Sequence, residues 1–190
     1  MDLEVLAFAT TEDWDAWLRD HHETATGGVW IKFARKASGI PTVTYRDALQ
    51  VALRFGWIDG QARGHDESWY LQRFTPRRAR SIWSKRNRDF ATALIEAGEM
   101  EPAGLREVER AKADGRWDAA YDAPSTAKVP EDLQAALDAN PAATEFFAGL
   151  DRQNRYAILH RLQTAKRPET RARRIEKFVA MLAAGERIHP

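Results

Sequence analysis

The sequence has no cysteine, only three methionines, and no apolar run approaching the roughly 20 residues needed to span a bilayer. The lack of cysteine excludes disulfides, thiolate zinc sites, cysteine nucleophiles and iron–sulfur clusters, and it suits a reducing compartment. A glycine-rich phosphate loop, a dinucleotide fingerprint and a nucleophile elbow are also missing. The histidines at 21, 22, 65, 160 and 189 have no metal-like spacing. Neither a metal nor a cofactor is therefore expected. The opening residues Met1-Asp2-Leu3-Glu4 are acidic where a secretion signal is basic. A soluble cytoplasmic protein is the expectation.

What is present is an ordinary globular mixture of 44% hydrophobic and 30% charged residues over 190 positions, with seven tryptophans. Most of the indoles should be core, since each buries a large apolar area. The net charge of +1 conceals blocks: residues 1–70 sum to −4, 71–90 to +6, 91–140 to −6 and 141–190 to +5. Such blocks read either as internal complementarity or as basic surfaces for an anionic partner.

Thr10 with Asp13 is a capping-box pattern opening a helix whose one face is Trp14, Trp17 and Leu18. Val29, Ile31 and Phe33 alternate as in a half-buried strand. Thr44 with Asp47 caps a helix from Tyr45 to Phe55 that Gly56 ends. Two runs, 57–62 and 69–74, predict a hairpin through Gly64–Ser68. Ser84 is placed as the cap of a helix ending before Gly98, and Pro102 and Gly115 bracket another. Residues 122–128 have linker composition, and the remainder is helical, with Pro130, Pro141, Arg152 and Pro168 as starts and with Ile175, Phe178, Val179 and Leu182 as the buried stripe of the last helix, which Gly185 ends. The reading is an α+β fold: a small antiparallel sheet with packed helices over residues 1–122, a linker at 123–129, and an all-helical module at 130–190.

Three segments carry candidate chemistry. The first runs from Arg73 through Phe74, Thr75, Pro76 and Arg77 to Trp83, Ser84 and Asn87. Pro76 should end a strand in a defined way, and arginine forks beside a helix start at Ser84 would hold an anion. The plainer reading is a solvated basic turn. The second is Trp57-Ile58-Asp59-Gly60, where an aspartate within a strand asks for a partner such as Arg73. The third, from Lys166 through Arg171 to Arg174, is a second basic patch or simply the charged rim of a helix.

These blocks, Trp57-Ile58-Asp59-Gly60, Arg73-Phe74-Thr75-Pro76-Arg77, Ser81-x-Trp83-Ser84-x-x-Asn87 and Ala165-Lys166-Arg167-Pro168-Glu169-Thr170-Arg171, resemble those of the YdeI/OmpD-associated family. The resemblance extends over about residues 5–186. It implies a stress or bacteriocin-protection protein that acts by binding, and supplies no catalytic residues. The porin association is not carried over, because a protein expected to lack an export signal does not meet a mature porin.

Three functions are weighed. The first is a binding protein for a small anionic ligand, using Trp57, Asp59, Arg73, Thr75, Arg77, Trp83, Ser84 and Asn87, and able to form a homo-oligomer. The second is an enzyme with Asp59 as acid or base beside Arg73 and Arg77. The third, disfavoured by a sequence pI of only about 8.1, is a nucleic-acid binder stacking bases on Trp83 or Phe74.

Overall fold

The computed structural model describes residues 3–190, so Met1 and Asp2 of the acidic opening stretch lie outside the described residues. The chain divides into two compact units, one holding the chain up to Trp83 together with Asn87–Ala120, the other Ser84–Arg86 with Tyr121–Pro190.

The first unit is built on four strands, β1 (Val5–Ala7), β2 (Val29–Ala34), β3 (Trp57–Gly64) and β4 (Trp69–Pro76), in the order β1-β2-β4-β3. The fold class is α+β, as the sequence indicates. Strands β2, β4 and β3 are antiparallel, and β1, which is too short to leave a periodic signal, adds a parallel edge. The predicted hairpin forms, and β4 stops at Pro76, whose ring nitrogen cannot extend the ladder. Between Asp59 and Ala62 the register slips by one residue, making a bulge, and the Gln72 side chain fixes it by donating to the carbonyls of Gly60 (2.8 Å) and Gln61 (3.3 Å).

Helix α1 (Thr11–His21) starts on the expected capping box: the Asp13 amide donates to Thr10 Oγ1 and the Thr10 amide to Asp13 Oδ2, both at 3.2 Å. Helix α2 (Tyr45–Arg54) starts on Thr44, and Gly56 turns the chain out of it at φ 73°. The apolar faces of both helices join one face of the sheet in a core containing Trp14, Leu18, Ile31, Phe33, Leu49 and Phe74. Helices α3 (Lys85–Glu96) and α4 (Pro102–Ala113) extend this core through Ala91, Val108 and Ala111.

The second unit contains α5 (Glu131–Asp138), α6 (Pro141–Ala148), α7 (Arg152–Gln163) and α8 (Pro168–Ala183). Its core holds Leu133, Leu137, Phe147, Ile158, Leu162 and the predicted stripe Ile175, Phe178 and Leu182, with Val179 partly buried at its edge. Asn154, 2% exposed, accepts from the His189 amide at 2.8 Å and donates to its carbonyl at 3.2 Å, fastening the carboxyl-terminal segment.

Helix α4 approaches α2 most closely at Gly104. A Cβ there would lie 2.3 Å from the Arg54 carbonyl oxygen, 2.4 Å from Met100 Sδ and 2.8 Å from the Leu53 carbonyl oxygen. Helix propensity alone favours alanine over glycine by about 1 kcal/mol, but two of the three obstacles are backbone. Gly104→Ala should therefore destabilise, by roughly 1–3 kcal/mol as in overpacked cores. Denaturant unfolding checks this, and a variant more stable than the parent would refute the close approach.

Candidate functional site

The strand pairing decides where the predicted site residues point. Residues directly opposite in an antiparallel pair project from the same face, and their neighbours from the other. Asp59 faces Phe74, so its carboxylate lies on the helix-covered face, where it accepts a hydrogen bond from the Tyr45 hydroxyl at 2.7 Å. Arg73 precedes Phe74 and therefore belongs to the opposite face, together with Thr75. Its Nη2 donates to the Gly27 carbonyl at 3.1 Å. The expected pairing of Asp59 with Arg73 does not occur, because alternation along β4 separates the two by the thickness of the sheet. The enzyme reading loses Arg73 as a partner of Asp59 for the same reason.

Arg77 and Trp83, in contrast, come together. The guanidinium carbon of Arg77 lies 3.5 Å from the centroid of the Trp83 ring, a close cation–π contact, with Arg77 6% and Trp83 2% exposed. Arg77 Nη1 donates to the Ile82 carbonyl at 3.4 Å, and its amide donates to the Gly56 carbonyl at 2.9 Å. The Trp83 ring stands edge-on to Trp117 at 4.9 Å. Beside it Arg116, absent from the expected site, is 8% exposed, with Nε on the Asp114 carboxylate (2.7 and 2.8 Å) and Nη1 on the Ser81 carbonyl (2.6 Å). Trp83 Nε1 and Arg116 Nη2 are buried and have no hydrogen-bond partner among the described residues. Buried donors of this kind call for explanation in a folded protein.

Arg77 also borders an open cleft of about 310 Å³, whose lining includes His22, Glu23, Trp57, Arg106 and Glu107. Trp57 itself is 1% exposed and donates from its indole to the His22 carbonyl at 3.2 Å. Of the predicted residues, Trp57 and Arg77 line this cleft, and Trp83 is in contact with Arg77. Arg116 was missed because its proximity to Trp83 depends on the chain's return after α4, which has no local signature.

The remaining candidates have other surroundings. Asn87 is buried in the first turn of α3. Ser84 belongs to the second unit, where it forms a bridge with Tyr121, and the next amide, that of Lys85, donates to the Tyr121 carbonyl at 2.8 Å. The start of α3 therefore does not offer that amide to an anion, contrary to expectation. Phe74 is 0% exposed, so neither it nor Trp83 is available to stack on a base.

The second basic patch serves the helices around it. Arg171 holds Asp132 through Nε and Nη2 (2.5 and 2.8 Å) and reaches the Leu162 carbonyl at 2.8 Å, while Arg174 donates to the Arg161 carbonyl. Both thus satisfy the carboxyl end of α7. Lys166 is exposed. A cleft of about 420 Å³ in the second unit is lined by Phe146, Leu150 and Leu182 together with Glu145, Asp151 and Arg187. None of the predicted residues lines it. Among the described residues no group of histidine and acidic side chains could hold a metal, and no helix is long and apolar enough to cross a membrane.

Comparison with known proteins fits this division. Residues 6–107, more than half of the chain, match the model of a domain of unknown function, DUF8412. Residues 126–185 match the model described as bacteriocin-protection, YdeI or OmpD-associated. The chain belongs to the DUF8412 family, and its residues 126–185 are similar to the YdeI/OmpD-associated family, a likeness of bacteriocin-protection type at family level. No curated protein and no solved structure matches. The blocks around Asp59, Arg73 and Trp83 thus fall within the first match, and the Lys166–Arg174 block within the second.

Two carboxylates in the second unit give a pH prediction. The Asp122 carboxyl is held below the ordinary aspartate range, first by the hydrogen bond from Lys85, whose Nζ lies 2.6 Å away, against partial burial, and then by Gln163. Asp132 is lowered chiefly by its bond from Arg171. A carboxyl lowered in the folded state contributes stability that is fully present above its unfolded pKa, about 3.9, and lost as pH falls through the folded value. The contribution of these two carboxylates should be level from neutrality to about pH 5 and then decline. Asp122→Asn should lower stability at pH 7 and flatten the acid branch in calorimetric melts from pH 7 to 3. An unchanged acid branch in the variant would refute the assignment.

Proposed function

We propose that the protein is a cytoplasmic binding protein of the bacteriocin-protection type, holding a small oxyanion at Arg77 in the first unit. The observation that carries this reading is the guanidinium of Arg77, laid on the Trp83 ring at 3.5 Å while bordering a cleft that also contains Arg106 and His22. Stacking on an indole fixes the plane of the guanidinium, so its fork is preorganised for a phosphate-, sulfate- or carboxylate-like group. The unpartnered donors Trp83 Nε1 and Arg116 Nη2 favour an acceptor-rich ligand. Glu23 and Glu107 also line the cleft, so an anion held there has to sit on the Arg77 side of it. Glu107 is engaged by Arg110 at 3.0 Å, and Glu23 lies 3.8 Å from Arg106. Protection by such a protein would act through the liganded state.

Thermal unfolding in phosphate and in sulfate, at ionic strength matched with chloride, tests the site. A ligand present at 100 times its Kd should stabilise the wild-type protein by about 2.7 kcal/mol. Because Arg77 is buried, the informative quantity is the ligand-induced shift within each variant. Arg77→Ala should abolish the shift, and Arg77→Lys, which retains charge without the planar fork, should reduce it. Arg77→Ala retaining the full shift would place the ligand elsewhere.

A further inference from the structure

The sheet has a second face. Val29, Ile31, Phe33 and Phe74 project into the core, so the alternate residues Trp30, Lys32, Trp69, Leu71 and Arg73 project away from it. Trp30 lies opposite Arg73, Lys32 opposite Leu71, and Leu71 opposite Arg63 of β3. Neither Trp30, Trp69 nor Leu71 belongs to a hydrophobic core, although Leu71 is only 2% exposed. Arg63 explains this. Its guanidinium carbon sits 4.4 Å from the centroid of the Trp30 ring, so the side chain crosses β4 and roofs Leu71. Lys32 Nζ lies 5.9 Å from the Trp69 ring. Each indole on this face therefore carries a cation.

We propose that this face binds single-stranded nucleic acid. Sequence-tolerant recognition of single strands combines cations that follow the phosphates with flat π surfaces on which bases stack, and an arginine lying on an aromatic ring extends such a surface. A four-stranded sheet with helices on one side and aromatic residues on the other presents both together. Trp69 pairs with Ala34, four residues along β2 from Trp30, which sets the two indoles roughly 13 Å apart along the strands at about 3.3 Å per residue. That spacing lets them engage separate bases. Lys32, Arg63 and Arg73 supply the positive charge, with Arg35 at the hairpin end, where its Nε donates to the Asp66 carbonyl. The acidic groups of the hairpin are Asp66 and Glu67, and the Asp66 carboxylate already accepts from the amides of Ser68 and Trp69 at 2.8 Å. The balance on the sheet itself is positive, which matches a phosphate backbone. This face is separate from the Arg77 cleft, so the proposal stands independently of the oxyanion reading.

All seven tryptophans precede residue 121, so indole fluorescence reports on the first unit. The full chain is titrated with twelve-nucleotide oligothymidine and oligouridine at 50 mM salt and above. Saturable tryptophan quenching is expected, with affinity falling on raising salt. Three cations at about −0.7 per neutralised phosphate predict a log–log slope of roughly −2. Trp69→Ala and the exposed-site variant Arg63→Glu should each weaken binding about tenfold, as loss of one stacked base does, while Arg77→Ala leaves it unchanged. Folding of each variant is checked by circular dichroism, and Arg63→Glu keeps the test decisive if Trp69→Ala misfolds. Absence of saturable binding at 50 mM salt overturns the proposal. So does heparin binding as tightly as the oligonucleotides with Arg63→Glu alone affected, which would mark a bare anion patch. Loss of oligonucleotide binding in Arg77→Ala would place the strand at the cleft and likewise overturn it.

Discussion

The Trp14 indole joins the elements of the first unit. It is 0% exposed, its ring meets Phe8, Trp17, Trp57 and Phe74 at centroid distances of 5.1 to 6.3 Å, and its Nε1 donates to the Ala48 carbonyl at 3.0 Å. One side chain on α1 thereby fixes the position of α2, β3 and β4. The hydrogen bond matters as much as the area, because a buried indole N–H without an acceptor costs about 1–3 kcal/mol. The carbonyl it uses lies in the body of α2, so the two helices cannot slide past one another without breaking it. Trp57, set against Trp14, then places the strand that leads to Asp59 and the backbone that borders the Arg77 cleft.

Much of this organisation was legible in the sequence. Capping pairs such as Thr10 with Asp13 act over three residues, and prolines and glycines constrain their own backbone, so the starts and stops of α1, α2, α4, α6 and α8 could be read locally. The stripe Ile175, Phe178 and Leu182 was legible because helical periodicity survives whatever the helix packs against. The three-residue β1 was not, since nothing so short carries a period, and its pairing with β2 is long-range.

The candidate site divides along the same line. Arg77 and Trp83 are six residues apart, and the turn between them brings them into contact. Asp59 and Arg73 were expected to meet from their proximity in the hairpin, but which face each occupies depends on a register that neither strand reveals alone. Ser84 was expected to leave the start of α3 open. The Tyr121 carbonyl, 36 positions beyond Lys85, takes the Lys85 amide. Arginines proved hardest to read: Arg171 and Arg174 finish a neighbouring helix, Arg63 covers a leucine, and Arg116 braces the Ser81 carbonyl. In each the long apolar stem and planar head permit a structural use that composition does not distinguish from a binding one.

The bulge at Gly60–Gln61 bears on how these molecules behave in a crowd. Strand β3 is an edge strand, exposed over most of its length, and such edges invite pairing with neighbouring chains. The extra residue breaks the regular donor–acceptor spacing midway along it, and Gln72 holds that break in place from the inner side. A glutamine within the sheet thus guards against aggregation, protecting a surface several residues from its own Cα.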